Sequence, residues 1–367
     1  MEKNRIFGLD LMRATAILMV LCSHILWIYP PGIGLLSQVF TLFGFWGVEL
    51  FFVLSGFLIG KILFYSYIDQ DFTIQTAFRF LKRRWFRTLP NYFLVLLLNI
   101  VIALIIGLSL SDVGYYFFFF QNFTTTMKPF FPESWSLSVE EFAYLFVPFA
   151  LLLTSFLTKA KNKSKRFISV VLILILVFVI NKVVYQFTTS NTTLEQWNVS
   201  LKEVVIYRID SILIGIAAAW LSLNYAEFWK NNKTKFAFLG CVFIGLMYVG
   251  VGYFRILIDS YPFFWNVVYL PITSITFALF LPFLSQWQSA PKWFSKPVTF
   301  VSLVSYSVYL LHYSIVLQLL KYFIDTTQFS SWQLHGFTIG YVTLTFFLSF
   351  LLYNYYEKPI MNLREKR

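Results

Sequence analysis

Charge is what this sequence has least of: Asp, Glu, Lys and Arg make up only 13% of its 367 residues, whereas 58% are hydrophobic and 21% aromatic. That balance excludes an ordinary soluble globular domain. Five stretches contain no charged residue, and each is long enough to span a bilayer as a helix: residues 14–48, 88–111, 260–291, 297–320 and 326–356. The sequence therefore predicts an all-α, polytopic integral membrane protein.

Cysteine and long polar loops are also scarce. Cys22 and Cys241 fall in segments at different predicted depths, so we expect no disulfide between them, and no metal-ligand spacing surrounds them. No predicted loop exceeds roughly thirty residues, which leaves no room for a soluble catalytic domain. We expect residues 1–367 to form one transmembrane domain, with any chemistry inside the helix bundle.

The hydrophobic segments predict about ten transmembrane helices. They lie near residues 9–29, 42–66, 86–107, 139–157, 167–184, 203–222, 235–251, 266–285, 299–323 and 335–356. With the N-terminus inside, 22 of the 29 Lys and Arg fall on the cytoplasmic side, many of them in residues 79–87 and 159–166. This asymmetry predicts that both termini are cytoplasmic. Those assigned to the outside are Lys128, Lys182, Lys202, Arg208, Arg255 and Lys321.

The net charge of +12 is spread among these loops and does not form one basic patch. Nucleic-acid binding requires basic residues gathered on one face. We therefore expect the lipid bilayer, and no nucleic acid, as a partner of the chain.

Two ionisable residues interrupt the first hydrophobic segment, GLDLMRATAILMVLCSHILWIY. On a helix, the spacing of Arg13 and His24 places both on one face with Asp10, about 16 Å apart along the axis. An isolated charge at bilayer depth costs about 2.5–3.5 kcal/mol, so such residues usually line a protein interior or a wet pathway. This stripe is our first candidate site.

Glu49 in the second helix lies at nearly the same predicted depth as His24. A carboxylate that accepts one ring N–H of an imidazole fixes its tautomer and raises the basicity of the other nitrogen. The alternative is a structural polar contact between the first two helices. Depth alone leaves both interpretations open.

Arg84 and Arg87 enter the third predicted helix from the cytoplasm, at i and i+3 on one face. Two guanidinium groups in a first helical turn can grip phosphate oxygens, assisted by the positive end of the helix. The alternative is anchoring at the cytoplasmic membrane surface.

In PESWSLSVEEFAYLF, the adjacent Glu140 and Glu141 point about 100° apart. Ser138 and Glu141 fit a capping box, which leaves Glu140 free to face inward. His312, in the middle of a predicted helix, has either a packing or a catalytic role. His335 lies at an outer helix end and is expected to be interfacial.

Together these segments resemble the acyltransferase 3 family, ten-helix bacterial enzymes that O-acylate cell-surface polysaccharides and related glycans. The resemblance covers residues 7–360 and rests on six segments in the family's order. They are GLDLMRATAILMVLCSH, GVELFFVLSGFLI, RWFR, WSLSVEEFAY, SYSVYLLH and the terminal YEKPI.

The resemblance implies roles for particular residues. Arg13 and His24 match the family's essential pair, and Glu140 matches the acidic residue of its WSLxxE stretch. Arg84 and Arg87 match its RxxR motif. Glu49 lies at a position where the family has Asp or Glu. The SGNH hydrolase-like domain that many members carry has no counterpart in this sequence. We therefore expect a stand-alone member acting on exported or lipid-linked polysaccharide more readily than on peptidoglycan.

Both lines of argument predict a multi-pass O-acyltransferase of the bacterial cytoplasmic membrane. An acyl group, expected to be acetyl, would pass from cytoplasmic acyl-CoA to a hydroxyl of an extracytoplasmic surface polysaccharide or lipid-linked glycan. No permanently bound cofactor is expected. The CoA would contact Arg13, Arg84 and Arg87. His24 would act as general base or as acyl carrier, its ring oriented by Glu49 or Glu140.

The alternative function is a transporter or flippase without covalent chemistry. Ten helices with buried Arg, His and Glu also suit a proton-coupled carrier. Against this, the ionisable motifs crowd into the first 141 residues with no second copy, whereas carriers often have two matching halves.

Overall fold

A computed structural model of the chain describes residues 5–30, 35–69, 71–128, 130–157, 162–191 and 193–365. Lys159 and Lys161, which we predicted to be cytoplasmic, lie outside these ranges. Within the ranges, nine helices are long and apolar enough to cross a membrane, and a shorter apolar helix brings the number to ten. The prediction of an all-α, polytopic membrane protein is confirmed.

We number the ten helices in chain order. They are α1 (Phe7–Ile25), α2 (Leu35–Ile68), α3 (Ile74–Ile106), α4 (Ser134–Leu157), α5 (Lys163–Thr188), α6 (Ile209–Asn224), α7 (Lys233–Gly252), α8 (Phe264–Leu284), α9 (Lys292–Phe323) and α10 (Ser331–Leu363). Each overlaps one of the ten predicted segments. The helices α8, α9 and α10 each contain a π-helical turn, and the turn in α9 covers His312–Leu317.

The third helix begins twelve residues earlier than predicted. Thr73 is its N-cap, and its side-chain oxygen accepts the backbone N–H of Thr76 at 3.3 Å. The first turns are amphipathic, so a charged segment that looks like a loop continues as a helix at the membrane surface. Arg84 and Arg87 therefore lie about three turns inside the helix. The prediction that the positive end of the helix assists these two arginines was wrong.

Two residues predicted to lie on the outside are instead buried in the bundle. Lys182 of α5 forms an ion pair with Asp210 of α6, and Arg208, just before α6, forms one with Glu49 of α2. All four side chains are inaccessible to solvent. A charge buried in this way is tolerated only when a well-placed partner offsets its lost hydration. Counting charges along the chain could not reveal this pairing.

The centre of the bundle is α2, which packs along α1 on one side and α6 on another. Its crossing with α6 is unusually close. A Cβ on Gly56 would lie 2.0 Å from the carbonyl oxygen of Ile212, and one on Gly215 would lie 2.3 Å from that of Val53. Small residues at such crossings let two membrane helices approach backbone to backbone. The same approach brings Glu49 within reach of Arg208.

Large apolar side chains cover the outward faces of several helices. Exposed examples are Leu104 and Ile105 of α3, Phe187 of α5 and Phe238 of α7. In water such surfaces mark interaction sites, and around a multi-pass bundle they are the faces that contact lipid chains.

We expect Gly56→Val to destabilise the bundle, because the new side chain collides with the α6 backbone, which cannot move aside as a flexible side chain can. Overpacking of this kind costs about 1–3 kcal/mol or more. The measurement is thermal unfolding of the purified protein in detergent. Gly245→Ala is the control, since nothing lies within 4 Å of its added Cβ. Equal unfolding temperatures for the two variants would contradict the close crossing.

Candidate active site

Two cavities meet within the bundle, and we name them for the predicted topology. The inner chamber has a volume of about 110 Å³, and its lining includes Arg13, Arg84, Arg87, Glu140, Tyr144 and Tyr306. The outer chamber has a volume of about 790 Å³, and its lining includes His24, His312, Trp27, Trp135, Trp197 and Trp265. Val48 and Tyr309 line both chambers and therefore form the boundary between them.

The side chain of Tyr309 is held in place at this boundary. Its hydroxyl lies 2.6 Å from Ser136 Oγ and donates to the backbone oxygen of Glu133 at 3.1 Å. Both partners are buried. These contacts place the ring in a defined position between the chambers.

Three guanidinium groups line the inner chamber. Arg84 and Arg87 come from α3 and Arg13 comes from α1, and Glu140 is the one carboxylate in the described lining. Like charges at close range are unfavourable unless an anion lies between them. Guanidinium groups bind phosphate and carboxylate oxygens through paired hydrogen bonds. The inner chamber is thus suited to hold an anionic group.

Asp10 fixes the position of Arg13. Its carboxylate accepts two hydrogen bonds from Arg5, at 2.8 and 2.5 Å, and one from Ser302 of α9 at 2.8 Å. Arg13 lies 3.7 Å from the same carboxylate and 3.4 Å from Ser302 Oγ. The first helix is thereby tied to α9 at the level of Arg13.

Glu140 faces the inner chamber and not His24. Its carboxylate accepts a hydrogen bond from Tyr144 at 3.1 Å, and the Tyr144 hydroxyl lies 2.6 Å from Ser55 Oγ. Glu140 thus faces inward, as the sequence predicts. However, Glu140 and His24 line different chambers, so the structure does not bring Glu140 to the His24 ring.

Glu141 ties α4 to α3. Its two carboxylate oxygens accept hydrogen bonds from Trp85 Nε1 at 3.2 Å and from Thr88 Oγ1 at 2.8 Å. The capping box predicted for Ser138 and Glu141 was wrong, because α4 begins at Ser134 and Ser138 lies inside the helix. The contacts of Glu141 instead hold the part of α3 that carries the two arginines.

The structure pairs His24 with a second histidine. His24 Nδ1 lies 2.9 Å from the carbonyl oxygen of Val20 and 3.2 Å from His312 Nε2. The two imidazole rings are 4.7 Å apart and nearly perpendicular, and the ring of Tyr313 lies 4.8 Å from that of His24. His24 occupies the last turn of α1, which ends at Ile25, four residues before the predicted end.

The predicted pairing of Glu49 with His24 was wrong. The Glu49 carboxylate binds Arg208 and the hydroxyl of Ser274, and its side chain is fully buried. The sequence predicts a similar depth for the two residues, but Glu49 contacts Arg208 before α6 and Ser274 of α8, whereas His24 contacts His312 of α9. Depth can be read from a sequence by counting residues, but the direction around the helix axis depends on how the helices pack.

Glu133 supports the π-helical turn of α9 next to His312. One of its carboxylate oxygens accepts the Ser314 backbone N–H at 3.1 Å and the Ser314 hydroxyl at 2.6 Å. Glu133 lies just before the membrane-spanning part of α4. Burial raises its pKa to about 7, although the hydrogen bonds from Ser314 act in the opposite direction. Sequence analysis missed Glu133, which no motif singled out.

The remaining candidates lie away from the chambers or carry no ligand geometry. His335 is at the outer end of α10, where its Nδ1 lies 2.8 Å from the Tyr29 hydroxyl. Cys22 and Cys241 are both free thiols. Within the described ranges, no three His, Cys, Asp or Glu side chains converge as a metal site requires.

Comparison with known proteins gives one family match. The Acyl_transf_3 model, described as an acyltransferase domain, matches residues 6–354. "Putative O-acetyltransferase SACOL0978" of Staphylococcus aureus strain COL is 25% identical over 381 residues, which cover 96% of this chain and 56% of that protein. "O-acetyltransferase OatA" of Staphylococcus aureus strain NCTC 8325 is 24% identical over 381 residues, with 96% and 57% covered.

A third relative matches over a shorter region. "Putative peptidoglycan O-acetyltransferase YrhL" of Bacillus subtilis strain 168 is 29% identical over 185 residues, which cover 45% of this chain and 27% of the relative. This chain spans just over half the length of the staphylococcal relatives. No solved structure matches it.

Glu49 and Arg208 give a testable prediction about stability. Glu49→Leu leaves the Arg208 charge buried without its carboxylate, which costs about 3–5 kcal/mol. We expect a large fall in thermal stability in detergent. The double variant Glu49→Leu/Arg208→Met removes both charges, and we expect it to regain most of the loss. If the single variant unfolds at the wild-type temperature, the ion pair between Glu49 and Arg208 does not stabilise the bundle.

Proposed function

The chain belongs to the acyltransferase 3 family, and we propose that it is a membrane-embedded O-acyltransferase that takes its acyl group from acyl-CoA. The observation that carries the proposal is the pair of chambers, one cationic and one aromatic, which meet at Val48 and Tyr309. Two substrates can approach one another from opposite sides in such an arrangement. The relatives' names favour acetyl as the acyl group.

The inner chamber is the proposed donor site. CoA is a polyanion, and its phosphates match the guanidinium groups of Arg84 and Arg87. Its pantetheine arm is long, narrow and uncharged, and would extend past Arg13 to the boundary at Val48 and Tyr309. The roughly 16 Å between Arg13 and His24 along α1 is the distance that the arm covers.

The outer chamber is the proposed acceptor site. Its volume of about 790 Å³ falls in the range of small-molecule sites, about 300–1,000 Å³. Tryptophan and tyrosine rings give it flat apolar walls with polar edges, which suits a sugar ring with its hydroxyl groups. We propose a surface polysaccharide or lipid-linked glycan as acceptor, and the bacterial cytoplasmic membrane as the location.

His24 is the proposed reactive residue. As general base, its ring removes the proton of the acceptor hydroxyl while the oxygen attacks the thioester carbonyl. The C–O bond forms, the C–S bond breaks, and the proton passes to the departing thiolate of CoA. As acyl carrier, the ring nitrogen attacks the thioester carbonyl, so a C–N bond forms and the C–S bond breaks with loss of the CoA thiolate. The acceptor oxygen then attacks this carbonyl, the C–N bond breaks, and the proton of the hydroxyl passes through the freed ring nitrogen to the thiolate. Both routes need an unprotonated ring nitrogen of His24, which lines the outer chamber.

We expect His24→Ala to abolish transfer of radiolabelled acetyl from acetyl-CoA to glycan in proteoliposomes, with a loss of at least about 10²-fold. His335→Ala is the matched control, because this histidine is exposed at the outer interface. Thermal unfolding of both variants checks that they are folded. Full transfer by a folded His24→Ala protein would refute the proposed role. Absence of any transfer by the wild type, tested with glycan extracts from the source cells, would favour a carrier.

The donor site has its own prediction. Replacing both Arg84 and Arg87 with Gln should weaken acetyl-CoA binding by at least about tenfold, since each charge-assisted hydrogen bond contributes about 1.5–3 kcal/mol. The measurement is the concentration dependence of the thermal stabilisation by acetyl-CoA. Arg79→Gln/Lys82→Gln removes the same charge from exposed positions of α3 and should bind normally. Equal weakening in the two double variants would show surface attraction and not a binding site.

A further inference from the structure

His312 makes the closest side-chain contact with His24, and its own hydrogen bonds determine which atom it offers. His312 is fully buried, and its Nδ1 lies 2.8 Å from the carbonyl oxygen of Tyr309. A carbonyl oxygen only accepts, so this Nδ1 carries the proton. In the neutral ring the other nitrogen, Nε2, is then a hydrogen-bond acceptor. Nε2 is the atom that faces His24.

The hydrogen bonds of His24 follow from this assignment. Both groups near its Nδ1, the Val20 carbonyl oxygen and His312 Nε2, are acceptors. Nδ1 of His24 must therefore carry the proton, and its Nε2 has the lone pair. None of the described residues hydrogen-bonds this Nε2. The histidine pair thus leaves the free base of His24 available in the outer chamber.

The Val20 carbonyl oxygen also serves other donors. It accepts the hydroxyl of Ser23 at 2.8 Å, and as part of α1 it also accepts the backbone N–H of His24. A carbonyl oxygen has two lone pairs. The Nδ1 proton of His24 therefore shares the Val20 oxygen, at 2.9 Å, with other donors, and His312 Nε2, at 3.2 Å, gives it a second acceptor.

We propose that His312 is a positioning residue. It holds His24 in the tautomer whose Nε2 carries no proton and is available for chemistry in the outer chamber. The effect of this positioning on catalysis rests on the acyl transfer proposed above, whereas the hydrogen-bond geometry does not. The π-helical turn that begins at His312 contributes, because such turns shift side chains out of regular helical register and occur frequently at functional sites. The Tyr309 carbonyl completes the arrangement, so the residue at the chamber boundary also sets the tautomer of His312.

Two amide substitutions separate positioning from packing. The amide of Gln reaches about as far as histidine Nε2, so His312→Gln still offers an oxygen to His24. The amide of Asn reaches only about as far as Nδ1, so His312→Asn keeps a donor for the Tyr309 carbonyl but loses the contact with His24. Both variants bury a polar amide of similar character, which makes each the control for the other.

In the acetyl-transfer assay, we expect His312→Asn and His312→Ala to lower kcat by roughly 10²-fold, with KM for acetyl-CoA unchanged. We expect His312→Gln to keep kcat within about tenfold of the wild type. Equal losses in the Gln and Asn variants, or no loss in any variant, would overturn the proposal. Unfolding temperatures of all three variants identify losses caused by misfolding.

A second measurement needs no acyl-CoA. Diethyl pyrocarbonate modifies unprotonated imidazole nitrogens, and mass spectrometry of the peptide containing His24 follows its rate. We expect slow modification in the Asn and Ala variants and near wild-type modification in the Gln variant. The same rate in all four proteins would overturn the positioning role. If this order holds although the wild type transfers no acetyl, the positioning role stands and the proposed function fails.

Discussion

The cost of burying a charge away from water orders the polar residues of this bundle. An ionisable side chain inside it needs a partner of opposite charge, well-placed hydrogen-bond donors or a cavity. Glu49 and Arg208 satisfy the rule by pairing, and so do Lys182 and Asp210. Arg84 and Arg87 line the inner chamber. The first group holds α2, α5 and α6 together, whereas the second group gives the wall of the inner chamber its positive charge.

The same rule explains why the two chambers differ in character. The inner chamber collects cationic side chains from α1 and α3, and Glu141 and Asp10 fix those helices to their neighbours. The outer chamber has aromatic walls and two histidines whose rings are in contact, His312 Nε2 lying 3.2 Å from His24 Nδ1. Under the proposed function, a polyanionic donor and a hydroxyl-rich acceptor would therefore occupy separate sites. Under the same proposal, the acyl group would cross the boundary at Val48 and Tyr309 to reach His24 in the outer chamber.

Sequence reasoning succeeded where the property depends on position along one helix. The stripe of Arg13 and His24 lies on one helix, and the two residues line successive chambers as their spacing implies. It failed where two helices must meet. Glu49 has the right depth but the wrong direction for His24, and Ser138 could not cap a helix that had already begun at Ser134. The contact between His24 and His312 joins residues 288 positions apart, and no spacing rule reaches that far.

The sequence by itself determined the multi-pass helical bundle, because long uncharged segments have no other stable conformation in a bilayer. It also identified the ionisable residues within these segments as candidate functional residues, because burying such a group in a bilayer costs free energy. Only the tertiary structure decided which of these residues are partners and which line a cavity. The physical reason is that helix rotation and crossing depend on close packing, such as that of Gly56 against Ile212, summed over the whole bundle.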